Sequence, residues 1–184
     1  MLDIGSLGIP LHPVVVHFPI VLSVLLPISA LVALWAIRKG TTPRWAWALP
    51  VAIAAALTAS AYVATETGEQ EEDRVERVVT ERAIHGHEEA AERFLVLSGV
   101  LLVVAGVGLV PRTVGEAARL LTTVGAFGLL AAGVQVGHSG GELVYRHGAA
   151  SAYTDGGSAD RAAAPAPVVT APTDSGERAD GDDD

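Results

Sequence analysis

The sequence predicts an all-α fold: an integral membrane four-helix bundle followed by a disordered acidic C-terminal tail. Three observations predict it. Four apolar runs are long enough, or nearly so, to cross a bilayer that needs roughly 20 residues. Mean hydropathy is +0.41, above that of most soluble domains. Charge is segregated: of a net -9, residues 155–184 carry eight acids against two arginines, and residues 66–82 carry seven acids against three arginines.

The first run, 14–37, holds no Asp, Glu, Lys or Arg. Pro19 and Pro27 read as kinks that membrane helices tolerate. The run lacks the basic flank and small-residue cleavage site of a signal peptide, and it is longer than a typical apolar signal core. The second span, 45–64, is rich in alanine. The third, 86–110, joins an apolar stretch from Phe94 to a polar helical extension, because 81–93 contains no proline and only Gly86 among glycines. The fourth, 117–137, is expected to stop at Gly140-Gly141, where glycine permits a positive φ. Leu143-Val144-Tyr145 would then dip back to the interface as a lid. Gly133 and Gly137, four apart, allow a second helix to approach closely. The membrane domain is therefore 1–150. The tail, 151–184, is too poor in apolar residues to order itself.

Positive charge sets orientation. Arg38, Lys39 and Arg44 occupy the first link without an acid, and Arg112 and Arg119 face Glu116 in the third. The second link is acidic. The first and third links are expected in the cytoplasm of a plasma-membrane protein, with both termini and 66–84 extracytoplasmic. Trp35, Trp45 and Trp47 are expected at the inner interface.

Composition also excludes functions. The chain has no cysteine, hence no disulfide, cysteine-held iron–sulfur cluster or covalent c-type haem. No basic stripe suggests nucleic acid. No nucleophile–base arrangement marks a hydrolase. No ionisable residue lies at the hydrocarbon centre, where transporters place their sites.

All six histidines, His12, His17, His85, His87, His138 and His147, fall at the outer ends of the spans. At about 1.5 Å per residue, counting outward along each span brings His17, Glu66, His87 and His138 to roughly one level. Facing separates two neighbours. His87, Ala90, Ala91 and Phe94 share an apolar helical face, whereas His85, Glu88, Glu89 and Glu92 share a polar one. His87 should point into the bundle and His85 to water.

Three functions compete. The first is a b-type haem held by two imidazoles from facing helices. His17 with His87, or His87 with His138, would supply them. His12 and His147 would serve a second haem or its edge, and Arg93 and Arg146 would pair with propionates. The second is a nonhaem zinc, copper or iron site of His17, Glu66, His87 and His138. The third is a noncatalytic accessory subunit, its histidines packing or sensing pH near about 6.5.

Several motifs together resemble a known family: Leu11-His12-Pro13 with Val16-His17-Phe18-Pro19-Ile20; Thr67-Gly68-Glu69; His87-Glu88-Glu89-Ala90-Ala91; and Gly137-His138-Ser139-Gly140-Gly141-Glu142-Leu143-Val144-Tyr145-Arg146-His147-Gly148. Over residues 8–150 the chain resembles the bacterial membrane family labelled domain of unknown function 2231. Members are small four-span proteins, and some relatives carry a Rieske-type or cytochrome domain on the same chain. The resemblance implies a redox partner of that kind, and haem. This chain departs from the fused relatives in having no cysteine-bearing domain.

Overall fold

The structure is a computed structural model and describes residues 10–153. The chain forms α1 (Leu11–Val15), α2 (His17–Arg38), α3 (Pro43–Val75), α4 (Glu81–Val107) and α5 (Arg112–Tyr145), then a short 3-10 helix, Ala149–Tyr153. No strand occurs among the described residues. The α1–α2 stretch, α3, α4 and α5 are each long and apolar enough to span a membrane. The links between long helices are short, so sequence neighbours run antiparallel. Packing of α2 on α3, α3 on α4, α4 on α5 and α5 back on α2 closes an up-down-up-down ring.

Lipid offers no hydrogen bonds, so each span must satisfy its own polar groups. The hydroxyls do this by bonding back along their helix: Ser23 to Ile20, Ser29 to Leu26, Thr58 to Ala54, Ser98 to Leu95 and Thr122 to Ala118. Leu26, Leu57, Phe94, Leu101 and Leu129 fill the centre with Ala54, Ala61, Ala105 and Ala126. Lipid tails are as apolar as leucine, so association rests on close packing rather than on escape from water. Glycine supplies the closeness. A Cβ on Gly125 would lie 2.7 Å from Leu101 Cδ1, and one on Gly133 would lie 3.2 Å from the Phe94 ring. Large apolar side chains such as Val103, Val124 and Val134 cover the outer faces.

The end away from the histidines is clamped. The last carbonyls of α4 have no partner within their helix. The Trp47 indole N–H donates to Ala105 O at 3.0 Å, and Arg119 donates to Gly108 O at 2.6 Å. A cation here also opposes the negative end of the helix dipole. Trp47 is therefore in the core rather than at the interface, where Trp35 and Trp45 remain exposed.

Two other expectations change. Helix α3 continues eleven residues beyond Ala64, because 65–75 contains no proline and its single glycine lies on a packed face. Helix α5 runs through Gly140-Gly141 to Tyr145, so these glycines do not end it. The turn falls later, at Gly148 with φ 73°. The described residues end in the 3-10 helix. The tail from residue 154 lies outside the described residues.

Trp47→Ala removes a fully buried ring and a helix-end donor. It should cost about 3–5 kcal/mol in a denaturant titration of the detergent-solubilised protein. Trp45→Ala, at an exposed position, should stay within about 0.5 kcal/mol.

Candidate functional site

The histidine-bearing end is built from two helical faces, each serving one imidazole. On α3, Ala64, Gly68 and Glu71 follow the spacing i, i+4, i+7 and share a face. His12 lies against it. Its Nδ1 donates to Ala64 O at 2.8 Å. A Cβ on Gly68 would lie 3.2 Å from the His12 ring, so glycine leaves the ring its place. Glu71 Oε1 accepts the backbone N–H groups of Leu11 at 2.7 Å and His12 at 3.3 Å.

On α5, Val136, Ser139, Gly140 and Leu143 form the corresponding face at i, i+3, i+4 and i+7. His87 of α4 lies against it, with Nδ1 2.9 Å from Ser139 Oγ. Ser139 Oγ donates its own proton to Val136 O at 2.9 Å. A Cβ on Gly140 would lie 3.1 Å from His87 Cε1. Close approach, not chain reversal, is the reason for glycine at this position.

These bonds decide the tautomers. A carbonyl only accepts, so His12 Nδ1 carries the proton. The Ser139 hydroxyl has one proton, already given to Val136, so it accepts from His87 Nδ1–H. In both neutral rings the lone pair is then on Nε2. The ring centroids are 6.3 Å apart and the planes are 87° to one another. An Nδ1–H held by a carbonyl or hydroxyl, with Nε2 presented outward, is how metal-ligating histidines are oriented.

A cavity of about 650 Å³ opens beside the pair. Its walls are mainly apolar, including Pro13, Val75, Ile84, Ala91 and Leu143, while Glu69, Glu71, Glu72, Glu88 and Glu92 also line it. The 3-10 helix closes one side. Ala149 packs with Val79 and Ile84, and Tyr153 donates to Glu71 Oε2 at 2.6 Å. Arg74 lies over the Tyr153 ring, 5.4 Å from its centre. A smaller cavity of about 260 Å³ shares His87 and Leu143 and is lined by Arg82, Ser139 and His147.

The structure brings together His12 and His87. It does not bring His17 or His138 to them. His17 follows His12 by five residues, about 140° around a helix, and is exposed. His138 precedes Ser139 and turns outward, 3.6 Å from Glu142. Glu66 lies beside the Tyr62 hydroxyl of its own helix. His147 is exposed at the edge of the smaller cavity, and His85 is exposed 3.7 Å from Glu88. Arg93 pairs with Glu89, and Arg146 with Glu142. Among the described residues, no three His, Asp or Glu side chains converge as a metal site requires. Sequence reasoning missed Ala64, Gly68, Glu71, Ser139 and Tyr153. The face spacing of the first three was the available signal, visible once α3 is continued past 64.

Four antiparallel spanning helices with a histidine-bearing polar end define a multi-pass integral membrane protein. The chain belongs to the DUF2231 family of predicted membrane proteins, which it matches over residues 8–152. No curated protein and no solved structure matches it.

Burial, then the hydrogen bond to Glu71 and its charge, push the Tyr153 phenol above its ordinary value of 10.0. The folded state holds this proton where the unfolded chain releases it. The stability it contributes is complete below pH 10.0 and declines as pH rises further. Tyr153→Phe should reduce the loss of stability between about pH 9 and pH 11, measured by denaturant unfolding. Equal losses in the two proteins would contradict the assignment.

Proposed function

We propose that the protein binds a b-type haem through His12 and His87 and acts in electron transfer at the extracytoplasmic boundary of the plasma membrane. The observation that carries this reading is the approach of two imidazoles from different helices, His12 and His87, in an edge contact with ring centroids 6.3 Å apart, each with Nδ1 on a neighbouring helix.

Two further observations favour haem over a bare ion. A zinc site needs three or four protein ligands, and the described residues gather no such group. Haem would need only two imidazoles from the chain, and His12 and His87 would hold it. The cavity, about 650 Å³ with mainly apolar walls, is of cofactor size. When bound, the group would supply one-electron chemistry. The chain's own part is to hold both Nε2 atoms in position and surround them with apolar surface. The cation on offer to propionates is Arg82 in the adjoining cavity, with the His147 ring beside it, since Arg93 and Arg146 are already paired.

The extracytoplasmic placement rests on the basic links at the opposite end. There the site would meet quinol headgroups or a carrier, and the Rieske-type and cytochrome domains of fused relatives suggest the kind of partner. A second reading has one observation in its favour. Five glutamates and no lysine or arginine line the main cavity, a negative surround that favours a metal cation such as copper beside the imidazoles over a group carrying two propionates.

Protein purified after production with ample haem should show a Soret band and split visible bands, with one iron per chain. His12→Ala and His87→Ala should each abolish the six-coordinate spectrum, while His17→Ala and His138→Ala keep it. Stoichiometric copper without a Soret band would support the second reading. A folded, colourless, metal-free protein would overturn both in favour of an accessory subunit.

A further inference from the structure

We infer that Glu71 is the positioning residue that fixes His12 as a ligand, and that Tyr153 holds Glu71 in place from the C-terminal side. This rests on the bis-imidazole reading above. Helix α1 continues into α2 through Val16, and at this outermost end of the stretch the α3 face holds it at three points. Ala64 O holds the His12 ring, Gly68 leaves space for it, and Glu71 holds the backbone that carries it. Ala64 and Gly68 act on the ring, whereas Glu71 acts on the backbone from which the ring enters.

Both oxygens of the Glu71 carboxylate are engaged. Oε1 takes the Leu11 and His12 amides, and Oε2 takes the Tyr153 hydroxyl. Hydrogen bonds to an ionised acceptor are among the stronger ones. One side chain of α3 therefore ties the segment before the first span to the segment after the last. Arg74, one helical position triplet further along α3, lies against the Tyr153 ring and holds the second of these segments to the same helix. An N-terminal ligand and a C-terminal wall of the cavity are thus set by one carboxylate.

The test compares the full chain with Glu71→Ala, Glu71→Gln and His12→Ala, all produced with the same haem supply. Glutamine keeps an oxygen for the two amides and offers its NH₂ group to the Tyr153 oxygen. Glu71→Ala should bind haem about tenfold or more weakly, the range for loss of a residue that orients a ligand. Its spectrum should shift towards the five-coordinate form left when His87 binds alone, as in His12→Ala. Glu71→Gln should restore the six-coordinate spectrum. A Glu71→Ala protein with the parent spectrum and affinity would overturn the inference.

Amide hydrogen exchange at Leu11 and His12 reads the anchoring without any cofactor. Faster exchange in Glu71→Ala, reversed in Glu71→Gln, supports it even if the parent chain takes up no haem, an outcome that defeats the haem reading alone. Unchanged exchange in Glu71→Ala overturns the anchoring whatever the spectra show.

Discussion

Two imidazoles held 6.3 Å apart with their planes nearly perpendicular place demands that the rest of the bundle meets. Each ring is held through Nδ1 by a group on a neighbouring helix. Helix α3 supplies Ala64 O and α5 supplies Ser139 Oγ. Both helices must then extend beyond their apolar stretches, and both do, to Val75 and Tyr145. The glycine beside each ring follows from the same need, since a Cβ at Gly68 or Gly140 would press on the imidazole.

The two ends of the bundle are built differently. At one end Trp47 and Arg119 close the last turn of α4, with a buried ring and a buried cation on its carbonyls. At the other end the helices leave a cavity with half-buried carboxylates and imidazoles around it. Spans packed through alanine and glycine gain little from expelling water, so their contacts must be close to count.

The four spans were legible because apolar runs and charge-bearing links leave few alternatives within a bilayer. The inward face of His87 was legible too, from Ala90, Ala91 and Phe94. Its partner was not. Counting residues gives depth but not direction around the bundle, so His17 and His138 matched His87 in level while facing elsewhere. His12 lies in the turn ahead of Val16, which a count ending at His17 leaves out. Gly140-Gly141 was read as a stop because the same residue serves a turn and a close approach. Only the position of the His87 ring tells the two apart. Trp47 is a similar case: an indole near a span end reads as interfacial until a carbonyl within the bundle claims its N–H.

The perpendicular rings also make the central claim open to one direct measurement. Electron paramagnetic resonance of the oxidised, haem-loaded protein reports both axial ligation and the angle between imidazole planes. Ring planes at 87° should give the strongly anisotropic type of low-spin ferric signal that perpendicular axial imidazoles produce, and His12→Ala should remove it. A high-spin signal in the parent protein, or a low-spin signal that survives His12→Ala, would contradict His12 and His87 as the coordinating pair.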